Sequence, residues 1–505
     1  MNSTIQNKEN TISLIAVCLA ALMFGFEISS VPVSLPTIEK ELHGDFKDIQ
    51  WIMNAYTIAC TTVLMGTGTL ADKYGRKRIF IISTILFGIT SLLCGLAQNM
   101  SSLILGRFLQ GLSGGGMFIC AVANLSNQFP SGKKRSKAFS IWGVIVGIGL
   151  GFGPIIGSAI ISETNWRWIF LIHAPLALIT FVLGLYFIKE SKNSHAKRLD
   201  TGGIISLSIA VFGLTYCITQ NSGLSLTDPK IIMVLIISIT SFILFLWIEK
   251  KTKYPMFDFS VLKINNFSGA IMGSIGMNFS FWPFIIYLPI LFQVGFGYSA
   301  FYTGLFLLAY TLPSLVVPPI AEFLTLRYQS RNIIPLGLLL IGIGFFSMRY
   351  GISIDHANWQ TILPGMILAG IGLGLTNTPV TSTATGAVSS ERAGMASGID
   401  TSARFITLAI NIAIMGSILI YGIFNNIKSI LPANTNTQKL FAIAEKIAIG
   451  NDTFHIAINL PARHISDALI KAFGDVLLFG ASGVCCLAIC SYLLFHSGGQ
   501  QEKKL

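Results

Sequence analysis

Four charged side chains lie well inside the long apolar runs of this chain: Glu27, Arg107, Asp400 and Arg404. A charge in an apolar setting is costly and persists where it is paired or put to use. Glu27 is the one acid in the first nine apolar runs. A carboxyl in low dielectric holds its proton more tightly, and a neighbouring guanidinium loosens it. A carboxyl set between those effects takes up a proton on one side of a barrier and releases it on the other. A cation could compete with that proton for the same oxygens. Asp400 and Arg404 stand four apart, on one face of a helix. They read either as a self-satisfied ion pair or as a second coupling or gating site.

Composition says what surrounds these groups. The chain has 505 residues, 52% hydrophobic and 11% charged, with 36 Phe. Mean hydropathy is +0.69. A typical soluble protein carries roughly 25% charge, so this chain could not cover several globular surfaces. A disordered chain is excluded on the same ground. The eight cysteines all lie in apolar runs, with no CxxC pair, and no HExxH occurs among the seven histidines. They read as small buried hydrophobes rather than metal or redox ligands. A net charge of +12 allows a nucleic-acid partner in principle. Its placement in short clusters such as 133–137 and 250–253, between apolar runs, marks anchors beside an anionic leaflet instead.

Runs of roughly 20 apolar residues span a bilayer as helices. Fourteen occur, at 11–35, 51–70, 79–97, 101–124, 139–161, 168–188, 203–220, 231–248, 267–293, 301–321, 333–350, 361–385, 396–424 and 472–495. The first follows a polar leader without a cleavage signal and reads as a retained helix. The loops on the side of both termini hold 22 of the 34 Lys and Arg, and the opposite loops, counting Arg349 at the outer end of its run, hold 10. That excess predicts cytoplasmic N and C termini. The one long loop, 425–471, shows helical apolar spacing at 440–449 and 465–473, which suits an external amphipathic hairpin or lid, or a passive connector.

Between spans two and three runs Gly-Thr-Leu-Ala-Asp-Lys-Tyr-Gly-Arg-Lys-Arg, 68–78. It resembles, nearly position for position, the signature loop of the major facilitator superfamily. There the loop is a conformational latch, which assigns that role to Gly68, Asp72, Gly75 and Arg76. A degenerate echo, without the acid and the glycines, places Leu324, Arg327, Tyr328 and Arg331 at the spacing of Leu70, Lys73, Tyr74 and Lys77. Such an echo is expected of a duplicated bundle. Span four, 103–115, resembles the superfamily's Arg-and-Gly motif. The resemblance puts Arg107 near the proton-binding acid; a structural Arg tied to carbonyls is the other reading. Span five carries Gly149, Gly153, Pro154 and Gly157, which resemble the motif of proton-driven exporters. A smooth, kinked helix of this kind touches a neighbour closely and reseats as the halves rock.

The subfamily resembled is the fourteen-helix drug/proton antiporters. Glu27, followed nine residues later by Pro36, matches their first-helix motif, where Asp is more usual. Residues 165–175 match the entry to helix six, with His173 where Asn is usual, read here as a hydrogen-bonding substitute rather than a second proton carrier. Asp400 stands where the family commonly has Asn. Asp200-Thr-Gly matches the start of the inserted helices.

The resemblance implies an all-α membrane protein of the major facilitator fold. Residues 1–190 form one six-helix bundle, 191–266 two inserted linker helices, and 267–505 a second six-helix bundle. It implies a transporter rather than an enzyme. That transporter would export small lipophilic or cationic compounds across the cytoplasmic (inner) membrane in exchange for protons. No cofactor is expected beyond the proton gradient, and no GxxxxGK[ST] motif for ATP drive is present. A dedicated exporter of one native metabolite, such as a siderophore, would share the machinery. A periplasmic adaptor is compatible with the family, but nothing in the sequence encodes one. Trp51, Asn54 and Tyr56 in span two, and Asn278, Phe281 and Trp282 beside a proline kink in span nine, are candidates to wall the cavity. Lipid-facing packing is the alternative for each ring.

Overall fold

The computed structural model describes residues 2–129, 132–192, 200–220, 228–252, 257, 259–388, 393–430, 437–449 and 461–497; the surroundings of Gly68, Asp72 and 132–137, among others, lie outside that description. Helices make up nearly all of it, and no strand occurs among the described residues. Thirteen helices among these residues are long and apolar enough to cross a membrane. Together with α2 they are α1 (Asn2–Leu42), α2 (Phe46–Tyr74), α3 (Arg76–Gly95), α4 (Met100–Gln128), α5 (Gly132–Glu163), α6 (Arg167–Phe187), α7 (Thr201–Gln220), α8 (Pro229–Lys251), α9 (Asn265–Gly295), α10 (Ala300–Thr325), α11 (Ser330–Ser353), α12 (Trp359–Gly386), α13 (Ala393–Lys428) and α14 (Ala462–His496). Each coincides with one of the fourteen predicted runs. The chain is a multi-pass membrane protein.

The ends of these helices follow from their cap residues. Five even-numbered helices, α2, α4, α8, α10 and α12, start on Asp45, Asn99, Asp228, Ser299 and Asn358, whose side chains accept from the first free amides. Such caps satisfy donors that the helix cannot. All five lie at the end of the molecule away from the termini, here the distal end. At the same end Trp166 donates to Glu41 Oε2 at 2.7 Å, and Arg167 donates to the carbonyls of Gly95 and Ala97. The motif at 165–168 thus ties α1 and α3 to α6.

Two groups of helices pack on themselves. In the first, α1 lies against α4, α5 and α6, α2 against α4, and α3 against α4 and α6; in the second, α9, α11, α12, α13 and α14 interlock, with α10 against α12. The inserted helices α7 and α8 pair, and α7 docks where α2 meets α13. The apolar core is arranged unequally along the membrane axis. At the distal end both groups share one continuous cluster, from Val33, Phe46 and Trp166 to Phe284, Ile412 and Phe473. At the terminal end the clusters are separate: Ala16, Phe80 and Met117 in one group, Val317, Ile333 and Leu375 in the other.

The hydrogen bonds that Gln50 and Gln293 make between the groups follow the same division. Gln50 Nε2 donates to Tyr287 Oη and to Ile412 O, both at 3.2 Å. Gln293 Nε2 donates to Val33 O at 3.2 Å. All three lie in the distal half. The long loop contributes a 13-residue helix, Thr437–Ile449. It buries Leu440, Phe441, Ala444 and Ile447 in the shared cluster, and Glu445 lies 3.9 Å from Lys47 of α2. The expected second arm of a hairpin, 465–473, is instead the first turns of α14.

α12 runs unbroken through its polar stretch 376–379, with Thr376 Oγ1 bonded back to Gly372 O at 2.8 Å. Conversely α6 breaks at Ile172, where Pro175 has no amide for the preceding turn. The expected kink in α9 falls at Ser280, φ −117°.

The internal echo is structural as well. α2 passes to α3 through Gly75 alone, φ +118°, and α10 passes to α11 through Gln329, φ +65°. A side chain at positive φ costs about 1–2 kcal/mol. Gln329→Gly is therefore expected to stabilise the protein by about 1 kcal/mol, measured as a higher unfolding temperature in detergent.

Candidate functional site

α1, α4 and α6 converge on Glu27. Arg107 Nη1 donates to Glu27 Oε1 in a short ion pair, and both side chains are fully buried. The same Nη1 lies 2.8 Å from Gln110 Oε1, and Nε donates to Ile52 O at 3.0 Å. Gln110 is held in turn by its Nε2 donating to Ser91 Oγ at 2.9 Å. The Tyr56 ring lies beneath the guanidinium, 4.3 Å from its carbon, and Phe170 flanks it at 5.7 Å. This combination of one carboxylate, charge-assisted donors and aromatic faces is what a buried guanidinium needs to remain charged. The other carboxylate oxygen, Oε2, faces His173 Nδ1 at 3.4 Å.

The second cluster lies on α13. Arg404 contacts both carboxylate oxygens of Asp400, Nε to Oδ1 at 3.2 Å and Nη2 to Oδ2 at 3.1 Å. Ser274 and Thr381 also donate to Asp400. Arg404 reaches Asn377 Oδ1 at 2.6 Å and Thr381 Oγ1 at 2.9 Å. Every strong acceptor here has a donor, which is the self-satisfied arrangement. Between the two clusters Phe24 of α1 and Phe405 of α13 meet edge to face, centroids 6.5 Å apart.

The remaining candidates divide. Asn54 is buried with neither amide atom bonded. Trp51 packs on Phe212 and Tyr216 of α7, centroids 5.3 and 6.3 Å away, and so faces the inserted pair. Asn278 turns back onto Ser274 O at 2.9 Å. Phe281 stacks on Tyr310 at 4.0 Å and 4°, with Trp282 half-buried against it at 5.6 Å.

The glycines of α5 form a ridge with two faces. Toward α1, a Cβ on Gly153 would stand 1.8 Å from Ser29 Oγ, one on Gly149 2.9 Å from Leu22 O, and one on Gly157 3.0 Å from Ser30 Cβ. Ser29 Oγ donates to Gly149 O at 2.9 Å. Toward α10, Thr311 Oγ1 donates to Gly151 O at 2.7 Å, and Pro154 O and Ser158 crowd Gly304. The ridge named in the sequence therefore seats the helix that carries Glu27, while the neighbouring positions make the contact between the two groups.

At the terminal end Gly75 leaves room for a carboxylate that the sequence reading did not single out. Glu190 accepts from the amides of Lys77 at 3.1 Å and Arg78 at 3.3 Å, against the N-terminus of α3, where an anion is favoured. Arg76 N donates to Ser191 O at 3.0 Å. The side chain of Asp72 lies outside the described residues. Gln110, at i+3 from Arg107, was findable from helical spacing. Glu190, Ser91 and Ser274 carry no local signal of their partners.

Comparison with known proteins places the chain in a family. The family model described as Major Facilitator Superfamily matches residues 17–411. The chain is 30% identical over 461 residues to the multidrug resistance protein Stp of Mycobacterium tuberculosis (strain CDC 1551 / Oshkosh), covering 91% of this chain and 85% of that protein. It is 26% identical to the tetracenomycin C resistance and export protein of Streptomyces glaucescens, covering 97% and 92%. It is 29% identical to the quinolone resistance protein NorB of Staphylococcus aureus (strain COL), covering 89% and 96%. Among solved structures, a bacterial homologue of the lysosomal transporter Spinster, inward-facing and unoccupied, superposes with TM-score 0.64 at 15% identity over 97% and 98% of the two chains. A D-xylose–proton symporter superposes with TM-score 0.59 at 13% identity over 90% and 98%.

Proposed function

This chain belongs to the major facilitator superfamily, a family of transporters rather than enzymes, and on that premise we propose that it exports small lipophilic cations across the cytoplasmic membrane in exchange for protons. The observation that carries the reading is the Glu27–Arg107 pair, buried from water on the helix seated against the α5 ridge. A carboxylate in that position takes either a proton or a cationic substrate. A site that holds one of two ligands, in two orientations of the bundles, is antiport in its simplest form. The proton gradient is then the sole energy source. With both termini cytoplasmic, the fused distal core is the closed outer gate, and the divided clusters at the terminal end are where the halves part. Gly68, Asp72, Gly75 and Arg76 act as the latch at that end. Asp400 and Arg404, satisfied by Ser274, Asn377 and Thr381, brace the second bundle. The multidrug resistance name of the Mycobacterium tuberculosis relative supports a broad substrate range.

Expression in cells stripped of other pumps tests the range directly. Growth rescue against several unrelated lipophilic cations is expected. Rescue against none of them, with export of one native metabolite instead, would replace this reading with that of a dedicated exporter.

A further inference from the structure

A third titratable group meets the Glu27–Arg107 pair, and the exchange described above does not use it. His173 is fully buried and opens the second segment of α6, directly after the break at Ile172. Its Nδ1 stands 3.4 Å from Glu27 Oε2. Neither ring nitrogen, nor Oε2, has a hydrogen-bond partner. The ring is walled by Phe26 at 5.6 Å and, edge to face, by Phe87 at 5.5 Å. Arg107 is committed elsewhere, to Oε1, Gln110 and Ile52. The other titratable groups around the cluster are Tyr56 and Cys60 of α2 and Cys94 of α3. Cys60 Sγ donates to Gly111 O and Cys94 Sγ to Gln110 Oε1, so neither is committed to the His173 ring.

A histidine kept only for structure is tied by a hydrogen bond that fixes its tautomer. This one faces only the bare oxygen of a carboxylate. Charge bookkeeping indicates what that arrangement holds. Arg107, ionised Glu27 and neutral His173 sum to zero. One added proton makes the cluster singly positive wherever it sits. On Glu27 it would leave Arg107 a buried cation facing a neutral acid. On His173 Nδ1 it leaves the carboxylate between two cations, each within ion-pair reach, and that order of charges is the more favourable in low dielectric.

Resting on the proton-exchange reading, we propose that Glu27 and His173 act as a dyad, in which the exchanged proton is held between Glu27 Oε2 and His173 Nδ1. The proton enters the gap when the site faces the acidic side. It is expelled when a cationic substrate takes its place against the carboxylate, since two cations cannot share Oε2. Arg107 stays paired throughout. His173 is thus a proton-holding residue, and the held proton belongs to the pair.

The test is the pH profile of substrate-driven proton release in proteoliposomes, with tetraphenylphosphonium as the probe. His173→Asn places an amide close to Nδ1, keeping polarity and removing titration. Its profile is expected to move to lower pH, with proton affinity down about tenfold, one unit on the pH axis, while tetraphenylphosphonium still binds. A His173→Asn profile superimposed on that of wild type, with transport intact, overturns the dyad and leaves a structural histidine. His173→Gln serves if the Asn variant does not fold. If neither folds, the infrared difference spectrum of the wild-type protein on adding the cation decides: imidazole and carboxyl bands changing together support the dyad, and a carboxyl band alone overturns it. Wild-type vesicles that release no protons overturn the exchange reading and the dyad with it. Wild-type release with an unmoved variant profile overturns the dyad alone.

Discussion

Arg107→Ala is expected to abolish transport and to cost about 3–5 kcal/mol of stability, the usual penalty for removing one partner of a buried ion pair. Three connections go at once: the pair with Glu27, the bond to Ile52 O and the bond to Gln110. Glu27 is fully buried and would be left beside His173 alone. The Tyr56 ring, 4.3 Å from the guanidinium, would lose its packing partner as well. Arg107→Lys is the informative companion. It restores a cation but cannot reproduce the planar fork that reaches carboxylate, amide and carbonyl together. It should recover folding more than transport. The check is unfolding temperature in detergent for both variants alongside uptake of a fluorescent lipophilic cation into inverted vesicles. Full transport by Arg107→Ala would remove this residue from the coupling machinery.

Gly153→Ala carries the second large effect. The new Cβ would stand 1.8 Å from Ser29 Oγ and 2.9 Å from Ser29 Cβ. Rotating the hydroxyl away relieves only the first of these, so α1 must shift. Overpacking of this kind costs about 1–3 kcal/mol. The shift also breaks the Ser29–Gly149 bond and moves Glu27, two residues before Ser29, relative to Arg107 on α4. Transport should fall about tenfold or more, the equivalent of ~1.4 kcal/mol on the barrier, with expression retained. Gly143 is the control on the same helix, because an added Cβ there meets nothing within 4 Å. Equal losses at Gly143 and Gly153 would mean that helix propensity, not the α1 seam, sets the effect.

The spans were legible because lipid leaves so little freedom: twenty apolar residues, basic loops on one side, and breaks where proline or serine intervenes. The Glu27–Arg107 contact was legible for a related reason. With charge so scarce in the apolar runs, an intramembrane Arg has few candidates to pair with. Partners set by tertiary packing were not legible. His173 meets Glu27 across 146 positions of sequence, and Glu190 reaches the start of α3 from the end of α6. Neither has a local pattern to announce it. Trp51 was a candidate to wall the cavity together with Asn54 and Tyr56. Yet Trp51 packs on Phe212 and Tyr216 of α7. Gln329 shows the opposite case. The turn has a positive φ like its counterpart at Gly75, without the glycine, so the backbone preserves a repeat that the sequence shows only as a degenerate echo.

The central claim is that one buried carboxylate exchanges a proton for a cation. The measurement closest to it uses purified protein in liposomes loaded with a pH-sensitive dye. A lipophilic cation is added, and proton movement is recorded for wild type and for Glu27→Gln. The account predicts substrate-driven proton flux in the wild type and none in the variant, with the variant still folded. Undiminished flux in Glu27→Gln would contradict it and move the coupling site away from α1.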